Sequence, residues 1–124
     1  MSNSDRNDRR EYVRVKVSVP VEIQTDAGGS LIRGATADLS LGGCYIETST
    51  ILSPGSKIKL GFSMDDPTLS AEGVVARLDP GSGVAVQFRE MNRDGRDRMF
   101  RILEFVQKTS AFYNNRYFEN LLKR

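Results

Sequence analysis

Val13, Val15, Val17, Val19, Val21 and Ile23 stand at every second position, with Arg14, Lys16, Ser18, Glu22 and Gln24 among the polar residues that interleave them. An apolar period of two, built from β-branched side chains, fits a strand with one buried face and does not fit a helix, whose period is 3.6. Such a strand must find hydrogen-bonding neighbours and something to cover its apolar side. Pro20 lies inside the run and has no amide N–H, so an edge or a bend is expected there.

The rest of the first two thirds repeats the pattern in shorter pieces. Asp26-Ala27-Gly28-Gly29-Ser30 reads as a turn, followed by a second strand over residues 31–39. Ser40-Leu41-Gly42-Gly43 breaks it, and residues 44–48 give a short third strand. After a turn at Pro54-Gly55-Ser56, Ile58, Leu60 and Phe62 alternate with Lys57, Lys59 and Gly61 in a fourth. Asp65-Asp66-Pro67 turns the chain into a fifth strand over residues 69–78. Asp79-Pro80-Gly81 turns it again into a sixth, carrying Val84, Val86 and Phe88. Six short strands at this spacing predict a mainly β fold, a small antiparallel barrel or sandwich. The chain of 124 residues is one domain's worth and can bury a core of its own. It divides into a polar, flexible arm over 1–12, the β unit over 13–92 and a helical segment over 93–124.

In that last segment Asp94-Gly95-Arg96-Asp97 resembles a helix start with Asp94 as its N-cap. Met99, Ile102, Leu103 and Val106 follow at helical spacing, and Tyr113, Tyr117 and Leu121 continue that face as one long helix or two consecutive ones. Phe105, Phe112, Phe118 and Leu122 form a second apolar row. Two readings of it stand side by side. A break near Thr109-Ser110 lets both pieces fold onto the β unit, or the second row is a partner surface, most simply for another copy of the chain in a homodimer.

Composition excludes whole classes of function. There is no histidine and only one cysteine, Cys44, which removes the Ser-His-Asp and Cys-His nucleophile systems and the usual zinc sites. No enzyme, metal or cofactor is expected. A single cysteine forms no internal disulfide and fits a reducing compartment, so a cytoplasmic protein is expected. The first residues have no apolar stretch of the kind a signal peptide needs, and no run of apolar residues suffices for membrane insertion. Eighteen Lys and Arg against sixteen Asp and Glu leave a net charge of +2, too little to draw the chain onto nucleic acid.

Two clusters carry binding chemistry. Arg9-Arg10-Glu11-Tyr12-Val13-Arg14 places three guanidinium groups where the arm enters the first strand, and guanidinium binds phosphate through paired hydrogen bonds and stacks on flat rings. Asp38-Leu39-Ser40-Leu41-Gly42-Gly43 offers an acceptor, a hydroxyl and glycines that let backbone approach a ligand. Taken together, R-x-x-x-R at Arg10 and Arg14 followed by D-x-S-x-x-G at Asp38, Ser40 and Gly43 resembles the PilZ domain family. The doubled Arg9-Arg10 and the Gly-Val-Ala-Val-Gln-Phe segment from Gly83 to Phe88 match as well, so the resemblance covers roughly 9–90.

The resemblance implies a six-stranded antiparallel PilZ-type β-barrel, with the C-terminal helix or helices beside it, that binds cyclic di-GMP. Arg10 and Arg14 then hold phosphates and guanine, with Arg9 as a further contact. Asp38 and Ser40 meet polar guanine edges, and Gly43 permits a tight turn. Arg77 matches the place near the end of the fifth strand where some relatives carry an aromatic over the nucleotide; an exposed strand-end arginine is the alternative. The function implied is a receptor that orders its arginine arm on the ligand and thereby signals to a downstream protein partner. A ligand-independent PilZ-like adaptor and a nucleic-acid-binding small barrel are the alternatives.

Overall fold

The structure, a computed structural model, describes residues 14–26, 28–63 and 68–122, with side chains described as far as residue 109. The expected arm over 1–12, including Arg9 and Arg10, lies outside the described residues.

Six strands run antiparallel to their neighbours: β1 (Pro20–Thr25), β2 (Ile32–Leu39), β3 (Gly43–Glu47), β4 (Lys57–Phe62), β5 (Leu69–Asp79) and β6 (Gly83–Glu90). They close into a barrel in the order β1-β2-β3-β6-β5-β4, β1 pairing with both β2 and β4. One helix, α1 (Arg93–Leu122), follows. The barrel is the first of the two architectures that the strand pattern predicts.

The first strand differs from its sequence reading in an instructive way. Burial alternates as the valines require, with Val15, Val19, Val21 and Ile23 inside, yet β1 begins only at Pro20. Before it, the backbone is held by other means. Val15 exchanges two backbone hydrogen bonds with Leu39, each 2.9 Å. The buried Thr36 hydroxyl accepts the Val19 N–H at 2.9 Å and donates to the Val17 carbonyl at 2.6 Å. The Thr36 N–H also donates to the Val19 carbonyl at 3.0 Å, so one residue of β2, through backbone and side chain, satisfies groups that a regular ladder would otherwise pair.

The barrel is filled by Ile23, Leu39, Ile46, Ile58, Phe62, Leu69, Val75 and Val84, all fully buried. Met99 and Leu103 of α1 are buried against this core, and Ile102 and Val106 pack beside them, one turn apart as a single helical face demands. The helix is capped by Asn92, not by the expected Asp94: Asn92 Oδ1 accepts the Gly95 N–H at 2.7 Å. Asn is among the best capping residues, and Asp94 falls inside the first turn, where its charge suits the helix dipole. The helix runs unbroken through Thr109 and Ser110, which rules out the two-piece arrangement. At 30 residues it is about 45 Å long, longer than any strand of the barrel.

Candidate ligand-binding site

The Val15–Leu39 bridge brings the entry to β1 alongside the end of β2. There Arg14 Nη1 donates to Asp38 Oδ1 at 2.5 Å. The same oxygen accepts the Tyr45 backbone N–H at 3.2 Å, so β3 fixes the carboxylate while Arg14, 52% exposed, stays open to solvent. A β-bulge makes this arrangement possible. In the β2–β3 register Thr36 faces Ile46 and Asp38 faces Tyr45, leaving Ala37 as the extra residue. Without the bulge, Asp38 would follow buried Thr36 onto the inner face. With it, Asp38 is turned outward and Leu39 takes the inner position.

The loop after β2 is tied by its own serine. Ser40 is 1% exposed, and its hydroxyl oxygen accepts the N–H groups of Gly42 and Gly43 and donates to the Gly43 carbonyl, each at 3.1 Å. Gly43 is needed for a different reason from the tight turn expected of it. Its φ is not positive, but a Cβ there would stand 2.2 Å from the Val86 carbonyl oxygen. The glycine lets β3 lie close against β6. Cys44 beside it is buried, and burial, with a smaller contribution from Asp38 opposed by Arg14, pushes its thiol up to about 12. It behaves as a small apolar core residue.

On the far rim stands Arg77. Its Nε and Nη2 donate to the two Asp79 carboxylate oxygens at 3.2 and 3.3 Å, and its guanidinium carbon lies 5.8 Å from the centre of the Tyr45 ring. Arg14, Asp38, Ser40, Gly43, Tyr45 and Arg77 all line one depression of about 560 Å³ over β3, β6 and β5. The two guanidinium groups give it planar donors suited to phosphate and to flat heterocycles, and the Asp38 carboxylate adds an acceptor for N–H groups.

A family model for the PilZ domain matches residues 8–105. The chain belongs to the PilZ domain family. Solved structures share the fold of this PilZ domain. The PilZ domain of CeSA from a cellulose-synthesizing bacterium is 23% identical, with a TM-score of 0.62 and coverage of 77% of this chain and 98% of that one. The PilZ domain of YcgR from Escherichia coli, solved with c-di-GMP, is 16% identical, with a TM-score of 0.69 and coverage of 86% and 98%. The MrkH–c-di-GMP complex of K. pneumonia is 20% identical, with a TM-score of 0.67 and coverage of 85% and 55%, so the chain spans little more than half of MrkH. No curated protein matches the chain in sequence.

Within this PilZ domain the structure brings Arg14, Asp38, Ser40, Gly43 and Arg77 to one place, while Arg9 and Arg10 lie outside the described residues. The motif passes over Tyr45, Asp79 and Gln87. Tyr45 and Gln87 line the depression, and Asp79 anchors Arg77 and Tyr45. Parity gives a sequence signal for a further bulge, in β5 after Val75. Ala71, Gly73 and Val75 face inward, so an arginine at the next alternate position announces an irregularity, and the β5–β6 register does shift between Val75 and Arg77. No helix among the described residues is long and apolar enough to cross a membrane.

Proposed function

We propose that this PilZ domain is a receptor for cyclic di-GMP, without catalytic activity. The observation that carries this reading is the meeting of Arg14 and Asp38, from the two halves of the motif, in a depression that Arg77 closes on its other side. The ligand has two phosphates and two guanines. Arg14 supplies paired donors to phosphate or to guanine O6 and N7, and Asp38 accepts from guanine N–H groups, which adenine does not offer in the same pattern. Ser40 serves the site by shaping the loop that carries Gly42 and Gly43. Arg9 and Arg10 add phosphate contacts. The c-di-GMP complexes of the YcgR PilZ domain and of MrkH support the choice of ligand.

Transmission follows from the arm. Ligand phosphates draw Arg9 and Arg10 onto the barrel and change the surface offered to a downstream protein. The helix supplies a second means of output. Phe100 and Phe105 are 49% and 70% exposed, and a second copy of the chain is the simplest cover for them.

Calorimetric titration tests the receptor reading. Saturable heat with cyclic di-GMP and little with cyclic di-AMP or GTP is expected; no heat and no thermal shift at ligand well above micromolar overturns it. Light scattering tests the dimer, which a monomeric chain at high concentration rules out.

A further inference from the structure

Arg77 is placed by three strands at once. The bulge after Val75 turns it out of the barrel, and Ala76 and Arg77 are consecutively exposed where simple alternation would bury the second. In the register of the sheet Arg77 stands opposite Ala85 of β6, and Ala85 stands opposite Tyr45 of β3. The row therefore reads arginine, alanine, tyrosine. The middle residue carries only a methyl group, so the guanidinium reaches across it to the aromatic ring, within cation–π range at 5.8 Å.

Asp79 then fixes both partners. One carboxylate takes two hydrogen bonds from Arg77 and, on Oδ2, a third from the Tyr45 hydroxyl at 2.9 Å; Ser82 Oγ lies 3.2 Å from that hydroxyl. Hydrogen bonds from Arg77 and then Tyr45 hold the Asp79 carboxyl below its ordinary range, so the anchor stays charged. An arginine side chain on a surface normally samples many rotamers and loses that freedom when it binds. Here the tether restricts it beforehand, while 63% of the side chain remains exposed at the rim of the depression.

We propose that Tyr45 and Asp79 are positioning residues that hold the Arg77 guanidinium in place as a platform on which a purine ring of the ligand stacks. This rests on the reading of the depression as a cyclic di-GMP site. Stacking on a planar cation depends on the π-face of the base and not on its edge, so the platform contributes affinity, and Asp38 contributes the choice of guanine.

The test is a double-mutant cycle read by titration with cyclic di-GMP, with melting temperatures recorded for every variant. Arg77→Ala is expected to weaken binding about tenfold, within the range for a lost base-stacking partner. Asp79→Asn is expected to weaken it about two- to fivefold in the parent chain, as for a loosened cation–π contact. In the Arg77→Ala background Asp79→Asn should cost nothing further. Arg77→Trp should restore binding and make it indifferent to Asp79→Asn, because an indole stacks without a carboxylate to hold it. Tyr45→Phe keeps the ring and removes one anchor, and supplies the same comparison if Asp79→Asn unfolds. An equal loss from Asp79→Asn with and without Arg77 overturns the proposal, as does parent-like binding by Arg77→Ala. A parent chain that binds no cyclic di-GMP fails the receptor reading itself, an outcome distinct from either of these.

Discussion

Two depressions of similar size indent the outer wall of the barrel, and they differ in kind. The larger, about 640 Å³, lies over β1, β4 and β5 and is lined by Glu22, Glu72 and Glu90 with Lys59 among them. The smaller, about 560 Å³, lies over β3, β6 and β5 with Arg14 and Arg77 at its rims and Asp38 between strands. The sheet register even sets Glu72 directly opposite Glu90, an arrangement that like charges disfavour. The proposed site is put on the second wall, where guanidinium donors stand beside acceptors, and not on the carboxylate-rich first wall, which disfavours a dianionic ligand.

The sharpest way to break this comparison is to remove one cation from each wall. Arg14→Ala should reduce cyclic di-GMP affinity about ten- to a hundredfold, the loss of one or more charge-assisted hydrogen bonds. Lys59→Ala should leave it unchanged, and equal losses in titration would mean that the site has been put on the wrong wall.

Glycines give the next contrast. Gly43→Ala forces a Cβ against the Val86 carbonyl and should destabilise the fold by about 1–3 kcal/mol, weakening binding as β3 moves away from β6. Gly61, in the larger depression, has only Thr68 Cγ2 at 3.6 Å from its Cβ position. Gly61→Ala should be neutral or stabilising by about 0.5 kcal/mol. Urea unfolding of both variants measures the difference.

The smallest effect belongs to the acidic wall alone. Glu72→Gln removes the like-charge pair with Glu90 and also the opposite-charge pair with Lys59, its cross-strand partner on β4. The two effects offset, so stability should change by less than about 1 kcal/mol with no change in ligand affinity. A larger loss of stability in urea unfolding would show that the Lys59 pair outweighs the repulsion from Glu90.

Sequence periodicity carried most of the fold. All six predicted strands are present, because inward and outward faces have different solvation requirements that side-chain type must meet, and only the first starts well after its alternation does, at Pro20 rather than Val13. What alternation cannot supply is hydrogen bonding. Val15 to Val19 alternate in burial as a strand does, but a single bridge to Leu39 holds Val15 and Thr36 holds Val17 and Val19, and no local pattern announces a hydroxyl supplied from β2. The helix cap likewise moves from Asp94 to Asn92: both are good caps by type, and residue type alone does not choose between them. Of the residues that line the depression, Arg14, Asp38, Ser40 and Gly43 were legible through the motif. The network of Tyr45 and Asp79 was not, since its relation to Arg77 runs across three strands and depends on a bulge and on the smallness of Ala85.

Closure of β1 on β4 has a consequence for how anything reads this domain. Among the described residues each of the six strands is hydrogen-bonded on both sides, so these strands offer no free backbone edge. Partners that recognise a sheet by adding a strand to it find no place on these six strands. Whatever listens to the domain must sense side chains, the segment leading into β1, or the long helix. A message is then written in surface relief and charge, with the barrel itself as an unchanging page.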